Sequence, residues 1–249
     1  MHLATSTLSL LISAASAASA LNASTIPGYD SYPDYISSTS SNGSLSFGRH
    51  YAVLNLDLIS ALVGSIANTT QGEHFISNTA HWINTVHAQK PPPLSIFTRI
   101  YFSNSRKPEL GPTTPFAKAG GSLGNASDPE TQIYPAFEVD EDAGDVVLQK
   151  TRYYAGTGNG LEEILSTQGI DTVVLSGIRT SGVILSTAYR LFDLNYNVYV
   201  IANNTIESPS NVPGINDAIL EGIIPKLPAN VITIAQAIAA LQRSGPAIY

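Results

Sequence analysis

The chain of 249 residues contains no cysteine, one methionine and one tryptophan. Without cysteine there can be no disulfide, no thiolate metal site and no thiol nucleophile. Charge is scarce as well: Asp, Glu, Lys and Arg make up 12% of the chain, with 12 basic against 19 acidic residues and a net charge of −7. No basic block is present, which argues against a nucleic-acid partner, since gripping a phosphate backbone requires clustered Lys and Arg. No apolar run reaches the roughly 20 residues of a membrane span, so no membrane partner is expected. What the chain does have is 43% hydrophobic content, enough at this length for one sizeable core in a single domain.

The N-terminus has the pattern of a secretory signal peptide over residues 1–20. Residues 8–12 are compactly apolar, and Ala18-Ser19-Ala20 fits a small-residue cleavage site, although Met1-His2 supplies no Lys or Arg. A secreted, extracellular protein is expected. Asn-X-Ser/Thr sequons begin at Asn22, Asn42, Asn68, Asn125 and Asn203, which with a signal peptide favour a glycoprotein. Residues 21–47, rich in Ser, Asn, Tyr, Gly and Pro without a period, read as an extended arm, and 48–249 as the folded domain.

From Tyr51 onward short β-branched runs alternate with helical spacing. Strands are expected over 51–56, 94–102, 145–149, 173–176, 197–202 and 230–233. Helices are expected over 58–66, 73–88, 161–167, 183–193, near 213–224 and over 235–241. That alternation argues for an α/β fold with a parallel sheet covered on both faces. Residues 103–143 form a long proline-containing excursion, and loops of that length inside a domain commonly cover a site.

Asp57 ends the first strand and Lys150 the third, so both should project from the carboxyl edge of the sheet. The turn Gly177-Ile178-Arg179-Thr180-Ser181-Gly182-Val183 should lie beside them. A carboxylate and an ammonium in one cleft can share proton-transfer work. The alternative is that Asp57 only N-caps the following helix and Lys150 is a solvated strand end. His81 and His87 lie off the i, i+4 spacing of a helical metal pair, so no metal is expected. Gly156-Thr157-Gly158-Asn159-Gly160 does not join a strand to a helix directly. It reads as a flexible loop rather than a dinucleotide site, and no cofactor is expected.

Together, Asp57, Lys150 and the Gly-Ile-Arg-Thr-Ser-Gly-Val turn resemble the isochorismatase-like (cysteine hydrolase) superfamily, which includes nicotinamidases, N-carbamoylsarcosine amidases and true isochorismatases. The resemblance runs over residues 51–241 and is densest over 145–202. It implies a three-layer α/β/α, Rossmann-like domain with a six-stranded parallel sheet. It also implies an Asp-Lys-Cys triad in which Asp takes the thiol proton, Cys attacks an amide carbonyl and Lys orients the pair. Asp57 and Lys150 match the first two positions, but Val183 stands at the nucleophile position, so covalent chemistry through that side chain is excluded. True isochorismatases likewise lack the cysteine, with glycine in its place, and cleave a vinyl ether with Asp as acid and water as nucleophile. A further branch resembles this chain more closely, carrying Thr-Ser-Gly-Val, an apolar residue and Leu-Ser-Thr.

The resemblance further implies a cis peptide between Ile178 and Arg179 and backbone N–H groups near Gly182 and Val183 able to hold an oxyanion. It implies that Arg179 lines the pocket, where it could pair with a substrate carboxylate. Relatives often carry an aromatic residue at the Gly156 position, which Tyr153 and Tyr154 could replace, or these two belong to the core. The reading that follows is a secreted hydrolase of a small-molecule substrate, without a thioester step. Its rival is a non-catalytic relative that binds a small molecule or partner in the same cleft. A homo-oligomer is left open.

Overall fold

Strand β1 (Tyr51–Leu56) is buried at every position, and a strand apolar on both faces must be covered on both faces. The computed structural model describes residues 45–208 and 214–249. In it β1 lies within a six-stranded sheet together with β2 (Leu94–Ile100), β3 (Val146–Lys150), β4 (Thr172–Ile178), β5 (Asn197–Ile206) and β6 (Asn230–Ile232). The order is β3-β2-β1-β4-β5-β6, and every pair is parallel. After β1 and a short helix α1 (Ser60–Val63), helix α2 (Thr70–His87) leads to β2. Helix α3 (Pro115–Gly120) belongs to the excursion before β3, α4 (Leu161–Thr167) precedes β4, and α5 (Leu185–Asp193) joins β4 to β5. A short turn α6 (Ile215–Asp217) and α7 (Ile234–Ser244) complete the chain.

Two apolar layers follow. Leu54, Leu56, Val173 and Leu175 pack with Leu161 of α4 and Leu191 of α5 on one face. Tyr51, Val53 and Val174 pack with Trp82 of α2 and Leu241 of α7 on the other. Each fully buried Leu or Val contributes about 1.5–3 kcal/mol relative to exposure. Helix α2 begins where the Thr69 hydroxyl accepts the Gly72 N–H, and α7 begins in a capping box between Thr233 and Gln236.

From the centre of the sheet the strand order proceeds β1, β2, β3 toward one edge and β4, β5, β6 toward the other. The topological switch point therefore lies between β1 and β4, where α/β sheets open a crevice. Gly177 keeps this junction tight. It has φ +149°, and a Cβ there would stand 2.2 Å from the Leu56 carbonyl oxygen. Between β4 and β5 the register slips: Leu175 faces Val200 but Gly177 faces Thr205, so β5 bulges by several residues.

The folded region begins earlier than residue 48. Phe47 is buried, packs on Tyr51 and Tyr199, and donates its N–H to Ser244 Oγ. Arg243 Nε donates to the Leu45 carbonyl, and Ile248 N to the Arg49 carbonyl. The arm boundary at 47 is therefore too late, because an apolar residue in a Ser-rich stretch pairs with the far end of the chain. The segments 1–20 and 21–44, with the sequons at Asn22 and Asn42, lie outside the described residues. Among the described residues no helix is long and apolar enough to cross a membrane.

Other expectations change in detail. The helix expected over 58–66 shrinks to α1, because Asp57 turns the chain with φ 57° and Ile59 N donates to the Asp57 carbonyl. The segment near 213–224 is not one helix but α6, a wide π-type turn over Ala218–Ile223 and a 3₁₀ turn over Ile224–Lys226. The Gly156–Gly160 loop is not loose: Asn159 Nδ2 donates to the Gln149 and Ala155 carbonyls, and Asn159 Oδ1 accepts Leu161 N–H. Asn203 is 4% exposed, with Oδ1 accepting the Ile234 N–H at 2.9 Å. An asparagine this buried, with its amide oxygen committed to the start of α7, is a poor glycan acceptor once the chain has folded. Asn68 is exposed and Asn125 half-buried.

Candidate active site

Asp57 leaves β1 in the left-handed region, which Asp tolerates better than most residues. This turns its carboxylate back toward the neighbouring strands. Its N–H donates to the Thr98 carbonyl and hydroxyl on β2, and Thr98 Oγ1 in turn donates to Asp57 Oδ1 at 2.8 Å. Lys150, the last residue of β3, brings its ammonium to 2.6 Å from Asp57 Oδ2. The same nitrogen donates to the carbonyl oxygens of Arg152 (2.9 Å) and Tyr153 (2.8 Å). With the lysine side chain 0% and the aspartate side chain 5% exposed, the pair is sealed from bulk water. Lys150 is not a solvated strand end, and Asp57 is not merely a helix cap.

Burial dominates the electrostatics. It raises the Asp57 carboxyl above its ordinary 3.8 even though Lys150 and Thr98 pull it down. It lowers the Lys150 ammonium below its ordinary 10.5 even though Asp57 pulls it up. Both shifts run in the direction that burial imposes, toward the uncharged form of each group.

Asp57 opens on a small cavity of about 40 Å³, whose walls also include Arg179, Val183, Tyr153, Phe116 and Leu123. Lys150 stands behind Asp57 and does not reach the cavity. The excursion over 103–143 supplies the cover through α3 and Leu123, and Phe116 meets the Tyr153 ring edge to face at 5.3 Å. Arg99 anchors that excursion by donating to the Thr131 and Ala126 carbonyls.

After β4 the peptide bond between Ile178 and Arg179 is cis. The chain then makes a wide π-type turn over Thr180–Ile184 before α5, with Ile184 N donating five residues back to the Arg179 carbonyl. Val183 is buried and forms apolar wall at the position a nucleophile would take. Gly182 N–H is spent on the Arg179 carbonyl at 3.2 Å. This amide is therefore turned back onto the chain three residues before it rather than presented to the cleft as an oxyanion donor. Arg179 lines the cavity, and its Nε is buried without a hydrogen-bond partner among the described residues.

Tyr153 lines the cavity as expected, and Tyr154 does not. Its hydroxyl donates to Glu162 Oε1 at 2.7 Å, and Arg190 pairs with the same carboxylate at 2.8 Å. Burial, reinforced by that carboxylate, holds the Tyr154 phenol well above its ordinary range. His87 pairs with Asp145 at 3.0 Å, and among the described residues no group of three His, Asp or Glu could hold a metal. Thr98 and Phe116 escape the sequence reading. Thr98 left one trace, a hydroxyl two residues before the end of an apolar strand, whereas Phe116 left none.

The sequence model of the isochorismatase domain matches residues 51–219. No curated protein matches the chain. Among solved structures, it is similar to an isochorismatase family protein from Burkholderia thailandensis, with 26% identity, 80% of this chain and 98% of that chain covered, and a TM-score of 0.66. The fold is also shared with N-carbamoylsarcosine amidase from Thermoplasma acidophilum (20% identity, 74% and 96% covered, TM-score 0.58). It is shared too with nicotinamidase from Bacillus subtilis (19% identity, 74% and 99% covered, TM-score 0.55). The domain match spans more than half of the chain, and the protein belongs to the isochorismatase-like hydrolase family.

Proposed function

We propose that the protein hydrolyses a small molecule with Asp57 as general acid/base, Lys150 as its electrostatic partner and water as nucleophile, and with no covalent thioester step. The observation that carries this reading is the sealed Asp57–Lys150 pair, of which only Asp57 faces the cavity. Protonated Asp57 gives its proton to the leaving group as the bond breaks; ionised Asp57 takes one from water. Lys150, fixed by two carbonyls, stabilises the carboxylate whenever it forms. The cavity has room for a water or two, since one water needs roughly 10–15 Å³ of such volume. Arg179 carries an unused donor on the same wall, which suits a substrate carboxylate.

A substrate needs more space than 40 Å³, so α3 and Phe116 must move aside for turnover. That tight closure is also what a second reading uses, in which the protein is a non-catalytic relative that binds a small molecule or partner in the cleft. The readings separate on turnover of a panel of small carboxylated vinyl ethers, esters and amides. Asp57→Asn and Lys150→Met abolish hydrolysis under the catalytic reading. Activity retained in both variants overturns the Asp57–Lys150 mechanism, whereas no turnover of any panel member by the unaltered protein favours the binding reading.

Secretion is part of the same proposal. N-terminal sequencing of protein recovered from the medium of expressing cells should begin at Leu21, with glycans at Asn68 or Asn125 and none at Asn203.

A further inference from the structure

A second cavity, of about 300 Å³, opens between the first turns of α2 and the end of β5, and it shares no lining residue with the cavity at Asp57. Its size falls at the lower end of the range for small-ligand pockets, about 300–1,000 Å³. Its chemistry is unlike the usual apolar pocket. Gln71, Asn78 and Asn203 supply amides, Glu207 and Asp217 supply carboxylates, Phe75 supplies a ring, and neither Lys nor Arg lines it.

The groups are graded by depth. Asn78 is 1% exposed, and its Oδ1 has no hydrogen-bond partner among the described residues. A buried unpaired acceptor destabilises the folded chain, and a ligand that donates to it relieves that cost. The carboxylates stand farther out: Glu207 is half-buried and already accepts the Ser181 N–H at 2.7 Å, and Asp217 is exposed. The floor is thus neutral and the rim is acidic.

The geometry points to a second ligand site here for a small, uncharged, polyhydroxylated molecule of monosaccharide size. Hydroxyls donate to Asn78 Oδ1 and to the carboxylates and accept from the amide nitrogens, so one functional group serves the whole lining. Hydroxyl donation to a carboxylate is charge-assisted and strong. An anion meets Glu207 and Asp217 with neither Lys nor Arg to offset them, His74 being the one basic side chain in the lining. A lone ammonium is served at the rim but leaves the neutral floor unused.

The test is ligand-observed NMR titration of the full chain with D-glucose, D-galactose and D-mannose, and with the charged analogues D-glucosamine and D-glucuronate. At least one neutral sugar should bind, with glucuronate at least about tenfold weaker. Asn78→Leu should abolish neutral-sugar binding while melting as cooperatively as the unaltered protein. Asp217→Lys, at an exposed position, should raise glucuronate affinity relative to the neutral sugar. Asp57→Asn should leave sugar binding unchanged, which separates this site from the proposed hydrolytic one. No neutral sugar binding, tighter binding of glucosamine, full binding in a folded Asn78→Leu protein, or an unchanged glucuronate ratio in Asp217→Lys overturns the assignment.

Discussion

Lys150 Nζ lies 2.6 Å from Asp57 Oδ2, yet the two residues meet the cavity unequally, with the aspartate at its wall and the lysine behind it. In the proposed mechanism this asymmetry gives proton transfer to Asp57 and charge balance to Lys150. Asp57→Asn keeps a residue that tolerates the left-handed backbone. It should lower kcat/KM by about 10²–10⁴, the usual worth of a general acid/base. Removing either partner alone leaves a buried charge uncompensated and should cost roughly 3–5 kcal/mol. The double variant Asp57→Asn/Lys150→Met should be more stable than the sum of the single changes predicts, as read by urea unfolding.

The pair also sets a pH dependence. Because burial raises the Asp57 value above its ordinary 3.8, the folded state holds this proton to higher pH than the unfolded state. Stability should therefore fall as pH rises from about 3.8 through the folded value. Lys150 works in the opposite sense. Its folded value lies below 10.5, so stability is regained as pH rises through that value toward 10.5. The cost of the ion pair is greatest between the two folded values. Urea midpoints of the wild type and the double variant should differ most in the variant's favour there, and the gap should narrow toward acid.

Much of this arrangement was legible in the chain. Continuous apolar runs at 51–56 and 173–176 located the two central strands, and ionisable residues at strand ends pointed to the carboxyl edge without separating a site from a helix cap and a solvated strand end. What was not legible depends on distant pairings. Thr98 reaches Asp57 because β2 lies beside β1, and Phe116 reaches Tyr153 because the excursion folds back. Local sequence does not encode either encounter. Tyr153 and Tyr154 look equivalent as neighbours, and only the position of Glu162 on α4 separates them.

That separation is testable. Tyr153→Ala removes a cavity wall and the ring against which Phe116 packs, and should raise KM for any substrate of the cleft. Tyr154→Phe loses only the bond to Glu162 and should leave kcat/KM within about twofold.

Val183→Cys is nearly volume-conserving and should cost less than about 1.5 kcal/mol. It introduces the sole thiol of a chain that has none. Labelling by iodoacetamide, followed by intact mass, should be slow in this variant because Val183 is 1% exposed. Adding Phe116→Ala should accelerate it if α3 is the cover that must open. Equal rates in the two proteins would place the entrance elsewhere.

At Gly177 an added methyl would approach the Leu56 carbonyl oxygen to 2.2 Å, in a backbone conformation that favours glycine. Gly177→Ala should destabilise the protein by roughly 3 kcal/mol in urea unfolding. It should also reduce turnover, since β1 and β4 carry Asp57 and the Val183 turn from this junction.

The clasp between Leu45–Arg49 and Arg243–Ile248 closes the chain at the amino edge of the sheet, where the Tyr51 hydroxyl donates to the Gly245 carbonyl. The proposed catalytic pair lies at the opposite edge. Backbone continuity and working geometry are therefore separable. A chain starting at Leu45 could have its first residue joined to Tyr249 by a short linker and be reopened in an exposed connection, and the circularly permuted protein would present the same carboxylate and ammonium to the same cleft.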